Sequence, residues 1–357
     1  MDLKIIPLDP AALKQPPTAD FGFGGVFSNR MFTQQYTAGQ GWHDAQIGPY
    51  APISLWPSTA VFHYAQEIFE GTKAYRRADG RVNLFRPWEN ARRFNESARR
   101  MVMPDVDEED HVAAIIKLVE LEQEWVPSVP GATLYIRPTM IATDAALGVH
   151  ASKTYLHFII VGPVGAYFKE GFNPVPVYIS DEYRRAVKGG TGAAKTGGNY
   201  AASLLVSEAV KSRGYSQVLW LDAIHGRYVE EVGAMNICFV YGGRHIVTPK
   251  LSGSILPGIT RKSLLTLAPD LGYEASEETL DVDEILADVK SGKITEVFGC
   301  GTAAVIAPVG KFGYRDAEYI INDYQPGPVS RHLYDQLTGI QDGRLPDPYG
   351  WTYTIGD

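Results

Sequence analysis

The chain has 357 residues, 45% of them apolar and 21% charged, a balance that excludes a disordered polymer and supplies material for real cores. Lys plus Arg number 33 against 41 Asp plus Glu, a formal net charge of −8, and without a basic block the chain is not expected to bind nucleic acid. Cys238 and Cys300 are the only cysteines, which excludes a disulfide framework or a cysteine-rich zinc site, and no metal is expected.

The length suits two mid-sized domains. The stretch MDLKIIPLDPAALKQPP holds no apolar run of signal-peptide length. The most membrane-like stretch, 156–168, is interrupted by Gly162, Pro163 and Gly165 and is short for a span. A soluble, cytoplasmic protein is the expectation.

In chain order, a strand is predicted around Val82–Phe85, stopping at Pro87. Glu89 to Met103 reads as a helix with Phe94, Ala98 and Met101 on one face. Asp107 is a good N-cap for a second helix running until Pro127. Thr133–Arg137 and Tyr155–Val161 read as strands, the latter apolar enough to be buried on both faces. Residues 168–176 read as a linker between a small N-terminal domain, 1–167, and a large C-terminal domain, 177–357. In the second half, strands are predicted at Val177–Ser180, Gln217–Asp222 and Ile237–Tyr241, and helices at Tyr200–Ser212, Ile259–Leu267 and Val282–Lys290. The expected class is α+β, two domains with a cleft between them, and small-molecule sites favour such clefts.

The densest chemical signal runs from Gly189 to Tyr200, with Lys195 walled in by Gly, Ala and Thr. A phosphate loop of the Walker type needs Gly directly before the Lys and a helix starting there; Ala194 precedes Lys195, and Gly197-Gly198 delay the helix. Standing alone, the segment also fits an ordinary glycine-rich turn. A lysine among small residues can act as an amine nucleophile toward an aldehyde, and pyridoxal phosphate requires such a lysine, an acidic partner for its ring nitrogen and a phosphate cradle. Candidates for the last two follow downstream. Glu230-Glu231 precede the strand from Ile237, although paired glutamates also suit a solvated turn. Pro257-Gly258 open the helix at Ile259, leaving free N–H groups at its positive end. Thr302, in Gly301-Thr302-Ala303-Ala304, offers a hydroxyl flanked by small residues.

These segments, with Phe69-Glu70-Gly71-Thr72-Lys73-Ala74-Tyr75, Leu84-Phe85-Arg86-Pro87-Trp88, Glu231-Val232-Gly233-Ala234-Met235-Asn236 and Leu256-Pro257-Gly258, resemble the branched-chain-amino-acid aminotransferases, fold-type IV pyridoxal-phosphate enzymes. The resemblance runs from Phe21 to Trp351. It implies a two-domain architecture with the active site in the interdomain cleft, the large domain binding pyridoxal 5'-phosphate. It implies that Lys195 forms the Schiff base and shuttles the proton, that Glu231 meets the pyridine nitrogen, and that Tyr200 bonds the phenolic oxygen. Arg93, the backbone amides of Ile259 and Thr260, and Thr302 would grip the phosphate, and Arg185 would line the cofactor site. Phe23, Phe69, Tyr135, Tyr167, Thr302 and Ala303 correspond to the substrate pocket, with Tyr64 reaching across from a partner subunit in a homodimer or higher homo-oligomer. Arg137 would meet the side-chain carboxylate of glutamate or 2-oxoglutarate.

The implied reaction moves the amino group of leucine, isoleucine or valine to 2-oxoglutarate in a ping-pong cycle. A D-amino-acid aminotransferase or an aminodeoxychorismate lyase of the same fold is the alternative, and a non-catalytic pyridoxal-phosphate binder is another. Two positions depart from the family's pattern. Mammalian members have a Cys-x-x-Cys where this chain has Ala304 and Ala307, which excludes a dithiol switch there. Ala234 replaces a threonine, removing one hydroxyl from the expected cofactor site.

Overall fold

The computed structural model describes residues 1–165 and 172–356. They form two compact units, one drawn from Met1–Tyr167, Ala194–Gly197 and Gly339–Asp357, the other from Phe168–Ala193 and Gly198–Thr338. Among the described residues no helix is long and apolar enough to cross a membrane.

The first unit carries strands β1 (Lys4–Ile5), β2 (Arg30–Thr37), β3 (Gly41–Pro49), β4 (Glu67–Phe69), β5 (Thr72–Arg76), β6 (Val82–Phe85), β7 (Thr133–Ala142) and β8 (Thr154–Val164). Its helices are α1 (Ala60–Tyr64), α2 (Pro87–Arg100) and α3 (Glu108–Leu121). Helix α2 starts two residues earlier than the sequence suggests, because Pro87 fits the first turn, where a missing N–H costs nothing. It ends earlier too, with Val102 in the left-handed region. The Asp107 side chain accepts from the Asp110 N–H at 2.9 Å, capping α3 as expected.

The sheet runs β1-β3-β2-β8-β7-β5-β6, with β4 attached to β7. Leu84, Leu134, Ile136 and Ile159 pack from it against Ile115 and Leu118 of α3. The expectation that Tyr155–Val161 is buried on both faces is corrected: Tyr155, His157, Ile159 and Val161 are buried, while Leu156, Phe158 and Ile160 between them are half-buried. An antiparallel sheet with helices on one face leaves the other partly open.

The second unit carries β9 (Val175–Ile179), β10 (Gln217–Leu221), β11 (Val229–Val232), β12 (Asn236–Tyr241), β13 (His245–Pro249), β14 (Glu274–Glu278), β15 (Ile294–Gly301), β16 (Val305–Tyr314) and β17 (Ala317–Ile320). Its helices include α4 (Gly197–Ala201), α5 (Leu204–Lys211), α6 (Ile259–Asp270) and α7 (Val282–Lys290), and α8 follows at Pro328–Gln341. The sheet order is β11-β10-β9-β16-β15-β12-β13-β14, with β17 on β16. Val177, Leu219, Phe239, Val297 and Phe312 fill its core with Ile285 of α7. The single helix expected over 200–212 is two, because the Ser203 hydroxyl donates to the Tyr200 carbonyl at 2.7 Å and breaks the run. Val175 and Pro176, read as linker, lie inside β9, and 168–171 lie outside the described residues.

The last strand, β18 (Thr352–Ile355), pairs antiparallel with β6 of the first unit. The division that assigns everything after residue 176 to one domain therefore differs from the folded chain, in which segments distant in sequence share one sheet.

Within the first core, His111 and His157 stack at a centroid distance of 5.0 Å and an interplanar angle of 8°. Phe94 packs on both rings and Phe32 on His157. Both histidines are almost fully buried, and none of their ring nitrogens finds a partner among the described residues. Burial pushes the His111 imidazole down to about 4, and that of His157 well below the usual value. As pH falls below about 6.5, the unfolded chain takes up protons that the folded pair refuses. Stability is therefore expected to fall between pH 6.5 and about 4, by up to about 1.4 kcal/mol per pH unit for each ring. Urea unfolding at stepped pH checks this; a slope over pH 6.5–5 that His111→Leu/His157→Leu leaves unchanged would refute it.

Candidate active site

Each unit gathers its own group of the predicted residues. In the first, Lys195 is held by its backbone. Its N–H donates to Ser97 Oγ of α2 at 2.9 Å, its carbonyl accepts from Phe69 N–H at 3.0 Å, and the Thr196 hydroxyl donates to the Glu67 carbonyl at 2.7 Å. Its Nζ lies 4.9 Å from the centroid of the Phe69 ring.

Arg93, on α2, makes a two-pronged pair with Glu70, Nε to Oε1 at 2.7 Å and NH2 to Oε2 at 2.9 Å. Asn90 Nδ2 and the Gly71 N–H also donate to Glu70 Oε2, at 2.8 and 3.1 Å. Burial by itself would raise the Glu70 carboxyl, but the Arg93 charge and hydrogen bond, together with Lys195, hold it below its ordinary value.

The predicted pocket aromatics cluster around Arg137. Its guanidinium lies 4.8 Å from the Phe69 ring centroid and 5.2 Å from that of Tyr135, and NH2 donates to the Tyr135 hydroxyl at 3.1 Å. Phe23 meets Tyr135 edge-on at 5.2 Å. Tyr135 and Arg137 are two residues apart on β7 and so share a face. A Cβ on Gly71 would stand 2.1 Å from the Tyr135 oxygen, so only glycine leaves the phenol its place. Tyr64 is set apart at the end of α1, where its hydroxyl donates to the Leu147 carbonyl at 2.5 Å. Tyr167 lies outside the described residues.

In the second unit, consecutive residues of β11 face opposite ways. Glu231 Oε2 pairs with Arg185 NH2 at 2.7 Å, and Oε1 accepts from Asn236 Nδ2 and the Leu256 N–H, both at 3.2 Å. Glu230 instead accepts from the hydroxyls of Ser252 and Ser254, and burial raises its carboxyl. Gly258 N-caps α6 with no side-chain hydrogen bond to the helix end, so the first amides, at Ile259 and Thr260, have no partner within the helix and remain donors. A Cβ on Gly258 would meet Asn236 Oδ1 at 1.9 Å, which ties this turn to the residue beside Glu231. Tyr200 lies on α4, and Thr302 and Ala303 form the turn after β15. Cys238 and Cys300, on paired strands β12 and β15, are both buried free thiols.

The profile of the family described as amino-transferase class IV matches residues 67–312. The chain is 50% identical over 343 residues to the branched-chain-amino-acid transaminase 1 of Bacillus subtilis, covering 96% of both chains. The chain belongs to the class IV aminotransferases, among the branched-chain-amino-acid aminotransferases. It is 51% identical over 344 residues to the branched-chain-amino-acid aminotransferase of Mycolicibacterium smegmatis, covering 95% of this chain and 94% of the other. Its fold is similar to that of the T.th. branched-chain amino acid aminotransferase complexed with N-(5'-phosphopyridoxyl)-L-glutamate, with a TM-score of 0.75 and 26% identity over 91% of this chain and 98% of the other.

The family implies pyridoxal 5'-phosphate, and the donor sets of this aminotransferase fit its chemistry. An uncapped helix start suits a phosphate, and a carboxylate fixed by Arg185, Asn236 and a backbone amide stays available as an anion to a protonated ring nitrogen. Sequence reading gives no role to Glu70, Asn90 or Ser97, although Glu70 stands inside a quoted motif. Their signal is three-dimensional: a polar residue without periodicity, meeting an arginine 23 positions on. Arg93→Met is expected to leave Glu70 as a buried unpaired charge and to destabilise the protein by about 3–5 kcal/mol. Denaturant unfolding measures this, and Arg93→Met/Glu70→Gln should recover a large part of the loss.

Proposed function

We propose that this aminotransferase transfers the amino group of leucine, isoleucine or valine to 2-oxoglutarate in two half-reactions, one product leaving before the second substrate binds. Pyridoxal 5'-phosphate, when bound, supplies the carbonyl that captures the amine and the electron sink that acidifies the α-carbon. Lys195 Nζ holds the cofactor covalently at rest and, once displaced, carries the proton from the substrate α-carbon. The reading is carried by the position of Lys195, tied at both ends of its peptide to Ser97 and Phe69, with its amine beside an aromatic wall.

Glu231 keeps the ring nitrogen protonated, and Arg185 and Asn236 orient it. Tyr200 donates to the phenolic oxygen. Arg93, Thr302 and the amides of Ile259 and Thr260 bind the phosphate. Phe23, Phe69 and Tyr135 supply apolar walls for a branched side chain, and a partner subunit of a homodimer lends Tyr64. The C-terminal domain, expected over 177–357, serves as the cofactor-binding domain, and the enzyme works in the cytoplasm.

Arg137 resolves the demand that one pocket take both leucine and glutamate. Stacked between Phe69 and Tyr135, its charge is covered by ring faces when the side chain bound is apolar, and it pairs with a carboxylate when glutamate arrives.

Purified protein is expected to be yellow and to lose that colour on addition of leucine; Lys195→Ala should neither bleach nor turn over, and turnover above a tenth of the parent rate would place the amine elsewhere. Arg137→Met should slow the glutamate half-reaction by about 10- to 100-fold, the worth of one charge-assisted hydrogen bond, with little effect on leucine. Single-turnover rates with each amino acid decide this, since equal losses would mean that Arg137 serves the fold.

A further inference from the structure

Two cations share one aromatic ring in the first unit. The Arg137 guanidinium lies 4.8 Å from the Phe69 centroid, and Lys195 Nζ lies 4.9 Å from it. Like charges so placed raise each other's cost unless a carboxylate stands near. Glu70 is coupled to Lys195 but is already held by Arg93, Asn90 and the Gly71 amide. Arg137 donates to a neutral group, the Tyr135 hydroxyl, and its Nε is buried with no partner among the described residues.

The register of β4 on β7 supplies a counter-charge. Phe69 stands opposite Thr139 and Glu67 opposite Ile141, and residues two apart on a strand share a face. Glu67, Phe69, Thr139 and Arg137 therefore lie on one face, with Phe69 between Glu67 and Arg137 along it. All four are half-buried, whereas Ile68 and Met140, on the other face, are fully buried. Glu67 has little freedom to leave this row. The Thr196 hydroxyl donates to its carbonyl, and a Cβ on Gly197 would stand 1.8 Å from its Oε1. Burial pushes the Glu67 carboxyl up, and the Gly197 amide and the Arg137 charge pull it back only in part.

On the reading that Arg137 meets the side-chain carboxylate of glutamate, we propose that Glu67 is a specificity-determining residue of this site. Its carboxylate balances Arg137 across the Phe69 ring. A branched aliphatic side chain then meets a wall of little net charge, where an uncompensated guanidinium would be costly to cover. A substrate carboxylate receives the attraction of Arg137 less the repulsion of Glu67. One pocket is thus tilted toward leucine without being closed to glutamate.

Titration calorimetry on the holoenzyme tests this with 4-methylvalerate, which is leucine without its amine, and glutarate, which is glutamate without its amine. Glu67→Gln is expected to weaken 4-methylvalerate and tighten glutarate, shifting the ratio of their dissociation constants by about 3- to 30-fold, the span from a screened to a half-buried charge pair. Single-turnover rates with leucine and glutamate should shift in the same sense. Glu67→Asp keeps the charge and gives up part of the fit against Gly197, so it should hold the parent ratio. A shift as large as that of Glu67→Gln would mean that fit matters and charge does not, and would overturn the proposal. Equal weakening of both ligands by Glu67→Gln, or an unmoved ratio, would overturn it too. In an Arg137→Met background, Glu67→Gln should no longer move the ratio, because the charge it balances is gone. If Arg137→Met by itself weakens both ligands alike, the reading of Arg137 has failed and the role of Glu67 falls with it. If Arg137→Met weakens glutarate alone, an unmoved ratio in Glu67→Gln counts against Glu67 only.

Discussion

Glu70 is a carboxylate with no exposure, and much of the first unit's chemistry depends on how its charge is neutralised. The desolvation cost of such a group is several kcal/mol, met here by Arg93, Asn90 and the Gly71 amide together. The same bonds fix three other things. Arg93 loses its rotational freedom, the turn at Gly71 is locked, and that turn leaves space for the Tyr135 phenol, which in turn receives Arg137. A buried pair of this kind is weak evidence for stability, because an apolar replacement often does as well. Its consequence is positional, setting side chains on α2, β5 and β7 from one point.

Much of this is legible in the sequence for elements whose signal is local. Asp107 announces its helix by a side chain that can only cap there, and Val282–Lys290 by its apolar period. Pro257-Gly258 marks a helix start that the structure leaves uncapped. The hairpin β2–β3 is not legible, because alternation along Arg30–Thr37 is blurred by Thr33, Gln34 and Gln35. What makes that stretch a strand is pairing with β8, more than a hundred residues away. Phe23, Phe69, Tyr135 and Arg137 stand together, and only the resemblance, not any spacing, groups them beforehand. Glu67, Glu70 and Ser97 escape a sequence reading because their roles come from partners remote in the chain.

The two glutamates of β11 show what one residue of register means. Strand geometry alone sends their carboxylates to opposite faces, and each then acquires a different society: Arg185, Asn236 and an amide for Glu231, two serines for Glu230. No local feature of Val229-Glu230-Glu231-Val232 distinguishes them. The distinction is made by which neighbouring loop lies over each face.

The pairing of β18 with β6 has a consequence for how the chain is made. Residues 352–355 complete a sheet whose other strands end at residue 164. During synthesis the first sheet must therefore wait, with the β6 edge unpaired, while about half of the chain is still being translated. The second unit's strands, all between 175 and 320, are complete before that edge finds its partner. An open edge is a template for pairing with other chains, so the interval between the emergence of β6 and that of β18 is when a nascent chain is most exposed to association with its neighbours on a polysome.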